Sequence, residues 1–415
     1  AQEESSDVVA SAYGIEGLSF GPDYLIPKPF DPRLMLRIAP AVAEAACKSG
    51  VATRPIADFS AYREQLQQFV YHSGTFMKPI FAVAKKAVAA GGRARIVFSE
   101  GEDERVLRAV QVAVDESLAR PIVIARPAVL ERRLQRYGLR MRPGVDFELV
   151  NPESDARYRD YWQTYHRMTA RKGVTAQYAQ VEMRRRHTLI GAMMIHKGEA
   201  DGMICGTVGT HDIHLRYIDQ VIGRRPGATV YAAMNILMLP GRQVAIVDTH
   251  VNVDPTAPQI AEITAMAAEE LKRLGITPRI ALLSHSNFGS SDTEATRRMR
   301  DSLPLIRERD PDLEVEGEMQ AVLAFREEER QRLFPNSLLK GSANLLIMPS
   351  LDAANIAYNL LRTVGGGQSI GPILVGQRLP AHILTMSVTS RGIVNMTALA
   401  VVDAQAHAAG PAFRP

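Results

Sequence analysis

The chain has 415 residues, 46% of them hydrophobic and 23% charged, and its formal net charge is +4. This composition excludes a disordered or fibrous chain and predicts an ordinary globular protein with two or three domains. The two cysteines, Cys47 and Cys205, exclude a disulfide framework and favour a reducing, cytoplasmic location.

Membrane and nucleic-acid partners are not expected. No apolar stretch reaches the roughly 18 residues needed to cross a bilayer, and the N-terminus lacks the basic start and apolar core of a signal peptide. Arginines cluster at 131–142, 167–172, 184–187 and 224–226. Such clusters form a solvated helix face or a surface that binds phosphates, and both interpretations stay open. Aromatic residues do not alternate with the basic ones as they do on nucleic-acid-binding surfaces.

The first 56 residues differ in character from the rest of the chain. Closely spaced prolines predict an extended path up to Pro32, because proline fixes φ and lacks an N–H group. A helix is expected to begin at Pro32 and to be kinked or divided at Pro40. We assign residues 1–56 to the end of a preceding domain, since they have too little apolar surface for a core. The helical periodicity that follows predicts connecting helices over 57–92.

Residues 93–415 alternate between short apolar strands and amphipathic helices of about 12 residues. This alternation predicts an α/β fold of parallel sheets flanked by helices. In such folds the ligands lie beyond the carboxyl ends of the strands. The segments that follow predicted strands are 207–210, 248–252, 284–289 and 349–355.

Three short motifs at these strand ends give only weak evidence for a cofactor-binding, metal or catalytic site. "GTVGTHD" at 206–212 lacks the G-x-G-x-x-G spacing of a dinucleotide-binding loop. His211 and His214 have a helical metal-ligand spacing, but no third ligand stands nearby in the sequence. His285 and Ser286 lack the G-x-S-x-G pattern around a nucleophilic serine. We therefore expect no nicotinamide, metal or serine-nucleophile site here.

Two further segments carry groups that suit an anion. The loop and helix at 286–302, with Asp292 as the expected cap, offer backbone N–H groups that bind a phosphate or only close a turn. Another helix is expected to have Asp352 as its cap and Asn355 in its first turn. "IGPILVG" at 370–376 then predicts an extended segment near the strand ends.

Several motifs occur in an order that resembles the phosphate acetyltransferase (phosphotransacetylase) family. They are "SEGEDERVLRA", "RKGVT", "EADGMICG", "VNVDP", "ALLSHSNFGS", "PSLDAANIAYNLLR" and "IGPILVG", and the resemblance runs from about residue 80 to about residue 405. Residues 1–56 resemble the end of the malic enzyme domain in bacterial hybrid malic enzymes. Those proteins join an NADP-dependent decarboxylating malic enzyme to a phosphotransacetylase-like domain. The chain thus resembles a hybrid without most of its catalytic domain.

The resemblance implies a fold of two α/β lobes around a cleft that receives coenzyme A. It also implies a homodimer formed through this fold and a higher oligomer in the parent protein. The residues implied as acetyl-CoA contacts are Thr207, Thr210, Arg216, Ser286, Asn287, Gly289, Asn355, Gly371, Pro372, Ile373 and Thr385. Arg378 and Arg391 are further candidates for phosphate contacts, with a surface role equally open.

The resemblance also implies that the family's catalytic residues are lost. In active phosphotransacetylases a Leu-Ser-Arg-Gly segment follows the "IGPI" turn, and an aspartate comes several positions later. An ungapped alignment places the family serine on Thr385, the arginine on Met386 and the aspartate on Gly392. The triplet Ser390-Arg391-Gly392 lies five residues after the position of the family's motif, so its similarity to that motif is due to chance. Methionine and glycine supply neither the cation nor the base that acetyl transfer to phosphate needs.

We therefore expect a regulatory domain, catalytically silent in itself, that binds acetyl-CoA and inhibits an NADP-dependent malic enzyme allosterically. In the parent protein that enzyme converts malate to pyruvate by oxidative decarboxylation. No cofactor or metal is expected in this fragment, and NADP and a divalent metal are expected in the missing domain. Two alternatives stay open, namely a working phosphate acetyltransferase with substitute residues and a purely structural oligomerisation module.

Overall fold

The computed structural model describes residues 32–70, 72–89, 92–239 and 241–408. These residues form two compact units. The first unit contains the described residues up to Pro79 together with 389–391, and the second contains Ile80–Val388 and the described residues from Gly392 onward. The extended path predicted before Pro32 lies outside the described residues.

The described residues before β1 are mainly helical. Their helices are α1 Pro32–Lys48, α2 Phe59–Val70 and α3 His72–Ala89. α1 continues through Pro40 rather than dividing there, and Arg63 on α2 pairs with Glu44 on α1 at 2.5 Å. The helices lie where the sequence predicted them. Their assignment to a preceding domain (1–56) and to a connection (57–92) stays a prediction.

The first lobe of the second unit is built on a five-stranded sheet in the order β11–β4–β1–β2–β3, with every pair parallel. The strands are β1 Arg95–Phe98, β2 Arg120–Ile124, β3 Glu148–Val150, β4 Gly202–Cys205 and β11 Ala381–Ile383. β1, β2, β4 and β11 are apolar and largely buried, as parallel strands covered on both faces are.

The helices of the first lobe cover this sheet. They are α4 Glu104–Asp115, α5 Pro127–Arg136, α6 Tyr158–Thr169, α7 Ala176–Arg185, α8 His187–His196 and α9 His211–Val221. A short 3-10 helix, Ala170–Lys172, follows α6. α8 is apolar on every side, and Thr188 through Ile195 are all buried, so it lies in the core of the lobe.

The second lobe is built on a six-stranded sheet in the order β10–β5–β6–β9–β7–β8. The strands are β5 Ala232–Leu239, β6 Arg242–Val247, β7 Arg279–Leu283, β8 Glu314–Met319, β9 Leu345–Ile347 and β10 Gln368–Val375. β6, β9, β7 and β8 pair in parallel, but β5 is antiparallel to both β6 and β10. The sequence predicts parallel sheets, and this prediction is wrong for two strand pairs, β5–β6 and β5–β10, which are antiparallel. Too few residues separate β5 from β6 for a crossover, so this pair must be antiparallel.

The remaining helices belong to the second lobe, except for the last, which returns to the first sheet. They are α10 Ala257–Arg273, α11 Glu294–Arg309, α12 Ala321–Phe325, α13 Glu327–Leu333, α14 Leu351–Thr363 and α15 Ser390–Ala408. Two predicted caps are wrong. Thr293, not Asp292, caps α11, and Ser350, not Asp352, caps α14. A hydroxyl oxygen in the right backbone conformation caps a helix as well as a carboxylate does. Among the described residues, no helix combines the length and the apolar character that a membrane crossing requires.

Candidate functional site

Two loops of the first lobe meet at the carboxyl edge of its sheet. β4 and β11 are parallel neighbours, so the loops that follow them leave the sheet side by side. Arg105 joins these loops, because its Nη2 donates to the carbonyl of Thr207 at 3.3 Å and its Nη1 to the carbonyl of Met386 at 2.5 Å. The structure therefore brings Thr207, Thr385 and Met386 to one edge, and their role as ligand contacts stays a prediction.

Gly206 allows the close approach of these two loops. Its φ is +100°, and a Cβ at this position would lie 2.5 Å from the carbonyl oxygen of Leu384. Its N–H donates to Oε2 of Glu100 at 3.1 Å. Position 206 thus requires glycine both for its backbone conformation and for the space around it.

Glu100 follows β1 and lies at the same edge with an altered pKa. Its side chain is only 12% exposed. Burial raises the pKa of Glu100 to about 7, although backbone N–H groups of Gly206 and Thr207 act in the opposite direction. A carboxyl group with this pKa can give or take a proton near neutral pH.

Two histidines stand at the start of α9. His214 is held by two hydrogen bonds, between Nδ1 and Oγ1 of Thr188 at 2.7 Å and between Nε2 and the carbonyl of Val208 at 2.8 Å. Both ring nitrogens of His211 are buried and have no hydrogen-bond partner in the described part of the chain. Among the described residues no three His, Cys, Asp or Glu side chains are grouped to hold a metal ion.

His211 packs against His250, which follows β6 in the second lobe. The ring centroids are 5.2 Å apart and the ring planes differ by 29°. His250 Nδ1 is hydrogen-bonded to Oγ1 of Thr249 at 2.8 Å. Burial lowers the pKa of His211 to about 3 and the pKa of His250 to about 4. Both rings are therefore neutral at neutral pH, and they form an uncharged contact between the lobes.

A chain of polar side chains lies next to the histidine pair in the second lobe. Tyr358 donates from its hydroxyl to Oγ of Ser369 at 2.9 Å, and Ser369 donates to Oδ1 of Asn235 at 3.3 Å. Asn235 Nδ2 in turn donates to Oγ1 of Thr249 at 2.8 Å. Asn355 Nδ2 donates to the carbonyl of Thr249 at 3.2 Å, so this predicted contact residue belongs to the same group.

Gly371, Pro372 and Ile373 lie beside this group, at an irregularity of β10. The pairing with β5 shifts between Ile370 and Ile373. Gly371 has a φ of +128°, and a Cβ there would lie 2.8 Å from Oδ1 of Asn235. The backbone at Gly371 therefore runs directly against the polar chain of the second lobe.

Helix α14 reaches the loop that follows β11. About two turns beyond Asn355, Arg362 donates through Nη1 to Oγ of Ser387 at 3.2 Å, and Ser387 is close in sequence to Thr385. The histidine pair brings the two carboxyl edges together, and we name the space between them the cleft. Arg362 lies at the other end of α14, near the amino edge of the second sheet, and joins that end of the helix to the loop after β11. The predicted contact residues at the cleft are Thr207, Thr210, Asn355, Gly371, Pro372, Ile373 and Thr385.

The predicted contacts Ser286, Asn287 and Gly289 lie in a loop that closes on itself. Ser286 is fully buried and its hydroxyl donates to Oε1 of Glu318 at 2.8 Å. The N–H of Gly289 donates to the same oxygen at 2.8 Å, and the N–H of Asn287 donates to Oγ of Ser290 at 2.9 Å. The donors expected to suit an anion are thus taken up by Glu318 of β8 and by Ser290 of the loop, so the structure favours the plain turn.

The predicted arginines lie in three different places. Arg216 on α9 lines a cavity of about 240 Å³ within the first lobe. Arg378 precedes β11, so it lies at the amino edge of the first sheet, opposite the edge that carries Thr385. Arg391 and Gly392 lie in the first turn of α15. The contacts described above join neither Arg216 nor Arg378 to the cleft.

Four residues at this site were not predicted from the sequence to be functional, namely Glu100, Arg105, His250 and Arg362. A signal for the first two exists, because "SEGEDERVLRA" directly follows β1 and the same carboxyl-edge rule applies to it. His250 lies within the segment that the rule selects, but nothing in the sequence pairs it with His211. Arg362 lies near the end of α14, and only the packing of the lobes brings it to Ser387.

Comparison with known proteins gives a consistent result. A family model described as phosphate acetyl/butaryl transferase matches residues 75–401. The chain is 55% identical over 403 residues to a protein named NAD-dependent malic enzyme from Rhizobium meliloti (strain 1021), covering 97% of this chain and 52% of that protein. It is 53% identical over 406 residues to a protein named NADP-dependent malic enzyme from Escherichia coli (strain K12), covering 98% and 53%.

A solved structure shows the same fold. The crystal structure of a phosphotransacetylase from Streptococcus pyogenes matches with a TM-score of 0.72 and 28% sequence identity, and the match covers 79% of this chain and 98% of that one. The chain therefore spans about half the length of the malic enzymes it matches and nearly the whole of a phosphotransacetylase.

Proposed function

The chain belongs to the phosphate acetyl/butaryl transferase family, and we propose that it is the acetyl-CoA-binding regulatory part of a malic enzyme. In this proposal the cleft binds the thioester without transferring its acetyl group. The relatives that match nearly the whole chain are named malic enzymes, which supports this context.

The proposal rests mainly on the presence of a methionine, Met386, in the loop after β11. Its side chain is 62% exposed, in the loop that brings Thr385 beside Thr207. The family resemblance places a catalytic arginine at this position. A guanidinium there would hold the phosphate that accepts the acetyl group, whereas a thioether offers apolar surface that suits an acyl chain. The replacement therefore favours a bound acyl group over a bound phosphate.

The two guanidinium groups described in contact with this loop do not replace the missing arginine. Arg105 donates to backbone carbonyl groups of both loops and is paired with Asp103 at 2.7 Å. Arg362 donates to the hydroxyl and the carbonyl of Ser387. Turning either arginine towards a phosphate would break these hydrogen bonds and weaken the loops that form the cleft.

The remaining groups of the cleft suit a long, largely neutral ligand with phosphates at one end. Thr210 is exposed at the start of α9 and makes no side-chain cap hydrogen bond, and in this proposal its hydroxyl and the N-terminus of α9 bind a phosphate of the ligand. Asn355 adds an amide, and the irregular backbone at Gly371 adds a surface without side-chain bulk. A pantetheine arm needs such a mixture of apolar surface and single polar contacts.

In the parent protein we propose that bound acetyl-CoA inhibits the malic enzyme site. Inhibition at a distance requires that acetyl-CoA binds one of two states of the whole protein more tightly. We assign the transmission to the helices within 57–92, from their position in the sequence. We also propose a cytoplasmic homodimer formed through the two lobes, and NADP with a divalent metal in the half of the protein that this chain lacks.

Calorimetry with acetyl-CoA tests the proposal. We expect saturable binding of acetyl-CoA to the chain and no acetyl phosphate-dependent formation of acetyl-CoA above the level of the buffer. Thr385→Val should weaken the affinity for acetyl-CoA about tenfold, because one hydrogen bond to the ligand is lost. In the full-length parent, the same substitution should raise the acetyl-CoA concentration needed for inhibition by a similar factor.

The matched control is Thr277→Val, the same replacement at an exposed position before β7, on the opposite edge of its sheet. It should leave the affinity unchanged. Absence of binding heat and of a thermal shift at millimolar acetyl-CoA would contradict the regulatory proposal and favour the structural oligomerisation module. Formation of acetyl-CoA from acetyl phosphate in the usual enzyme range of about 1–10³ s⁻¹ would contradict the proposal that the cleft is catalytically silent.

A second candidate function, a working phosphate acetyltransferase, is favoured by Glu100. A carboxyl group with a pKa of about 7 can serve as the base for the coenzyme A thiol in place of the missing aspartate. If the chain shows turnover, Glu100→Gln should reduce the rate about 10²–10⁴-fold. Glu104→Gln, which alters a surface ion pair with Arg108, should leave it unchanged. Equal rates for the unchanged chain and Glu100→Gln would remove Glu100 from this role.

A further inference from the structure

A buried group of charged side chains joins the last helix to both lobes. α15 lies against the first sheet, since a Cβ on Gly202 of β4 would be 3.5 Å from the carbonyl oxygen of Ala400. One turn later on α15, Asp403 is buried, and its Oδ2 is hydrogen-bonded to Nε2 of His382 at 2.9 Å. His382 is the central residue of β11 and is fully buried. Neither side chain is among the residues grouped around the cleft.

The other oxygen of this carboxylate contacts the second lobe. Oδ1 of Asp403 is paired with the guanidinium of Arg273, the last residue of α10, which also pairs with Glu270 one turn earlier. Burial raises the pKa of Asp403, but the charge of Arg273 and the hydrogen bond with His382 outweigh burial and hold this pKa below its usual value. The carboxylate is therefore ionised at neutral pH, and it binds a strand of the first lobe and a helix of the second.

A buried pair of opposite charges constrains the two elements that carry it. Separating the partners leaves an uncompensated buried charge, which is strongly destabilising. The side chains of Arg273 and Asp403 are only 20% and 8% exposed, so little water is available to replace either partner. We therefore expect any movement of α10 with the second lobe to move α15 as well.

α15 also contacts one of the helices to which we assign the transmission. Two residues after Asp403, Gln405 donates through Nε2 to the carbonyl of Ala84 on α3 at 3.5 Å. The next residue of α3, Lys85, pairs at 2.7 Å with Glu116, which follows α4. This half of α3 belongs to the same compact unit as the two lobes. A displacement of α15 therefore acts on α3 directly.

We propose that Asp403 transmits acetyl-CoA binding from the cleft to α3, and so to the malic enzyme half of the parent protein. Acetyl-CoA in the cleft contacts both lobes and favours one relative position of them. Through Arg273 this position fixes α15, and through Gln405 it fixes α3. Coupling of two sites requires an element whose arrangement both sites influence, and here that element is α15. This role of Asp403 rests on the proposed function, because it requires acetyl-CoA in the cleft.

Two measurements on the same variants test this role. Calorimetry with acetyl-CoA on this chain measures binding to the cleft, and malate oxidation by the full-length parent at increasing acetyl-CoA measures inhibition. Asp403→Asn keeps the shape of the side chain and removes its charge. We expect its affinity for acetyl-CoA to stay within about twofold, whereas the acetyl-CoA concentration for half-inhibition rises at least about fivefold. A residue that only stabilised the fold would not separate these two quantities.

Gln405→Ala gives the same test without a change in the buried charges. Gln405 is half-buried, and its replacement removes the hydrogen bond to α3. This variant decides the outcome if Asp403→Asn does not fold, which thermal unfolding shows. We expect the same rise in the half-inhibiting concentration and an unchanged affinity for acetyl-CoA.

The matched controls are Asp201→Asn and Gln331→Ala. Asp201 forms an ion pair with Arg95 within the first lobe at 2.7 Å, and the amide of Gln331 donates to Glu327 of its own helix, α13, at 3.2 Å. Both controls should be inhibited like the unchanged parent.

Three results would refute the role of Asp403. They are a folded test variant that is inhibited like the unchanged parent, a control that loses as much inhibition, and an affinity for acetyl-CoA that falls as far as the inhibition does. In the last case Asp403 would only shape the cleft. Absence of acetyl-CoA binding to the unchanged chain, or of inhibition in the unchanged parent, would instead contradict the proposed function.

Discussion

Gly206→Ala is expected to lower the free energy of unfolding by about 2–4 kcal/mol and to abolish tight binding of acetyl-CoA. Alanine resists a φ of +100°, and its Cβ would lie 2.5 Å from the carbonyl oxygen and 2.8 Å from the amide nitrogen of Leu384. These are backbone atoms, so a side-chain rotation cannot relieve the contact. The loops that carry Thr207 and Thr385 must separate. Chemical denaturation and calorimetry with acetyl-CoA measure the two effects.

Gly227→Ala is the control that separates the cost of placing alanine at a positive φ from the cost of the steric clash of its Cβ. Gly227 also has a positive φ, +82°, but a Cβ there meets no atom within 4 Å. This control should lose about 1 kcal/mol of stability and none of its affinity for the ligand. A loss of stability in Gly206→Ala no larger than in the control would show that the two loops can move apart freely. The cleft would then not depend on their close packing.

The sequence predicts the parallel strands well, because they are apolar runs that end in small or polar residues. β4, β7 and β9 follow this rule, and the rule selects the segments after them. β8 breaks the rule, since its sequence "EVEGEM" places Glu316 and Glu318 inside the lobe. Each carboxylate accepts a backbone N–H from a loop that is distant in sequence, from Leu338 and from Gly289. No local sequence pattern predicts these distant hydrogen-bond donors.

The candidate site shows the same division between local and long-range information. Strand ends locate Thr207 and Asn355 at the carboxyl edges, because that rule depends only on chain direction. Thr385 was predicted only through the family resemblance. The contact between His211 and His250 depends on how two lobes pack. The loop at Ser286 carries the composition of an anion site, but Glu318 takes up its donors. Composition can show that a loop has hydrogen-bond donors, but it cannot show that these donors are free to bind an anion.

Acidification should destabilise the protein through the histidine pair. An unfolded histidine takes up a proton near pH 6.5, whereas burial holds the pKa of His211 at about 3 and that of His250 at about 4. The unfolded state therefore binds more protons below pH 6.5, and stability falls as the pH falls. From about pH 7.5 to about pH 4.5 each histidine removes about 2.5 kcal/mol. Glu100 acts in the opposite direction, since its raised pKa favours the folded state on acidification.

Comparison of variants isolates the histidine contribution from that of Glu100. His211→Phe keeps a ring against His250 and sacrifices no hydrogen bond to the described residues, because both His211 nitrogens lack partners there. We expect it to be at least as stable as the unchanged chain at about pH 7.5 and more stable by about 2.5 kcal/mol at about pH 4.5. His285→Gln, at an exposed histidine, is the control for loss of one imidazole. If His211→Phe and His285→Gln show the same pH dependence in denaturant unfolding, then His211 is not held neutral between the lobes. The histidine stack would then fail as the contact that closes the cleft.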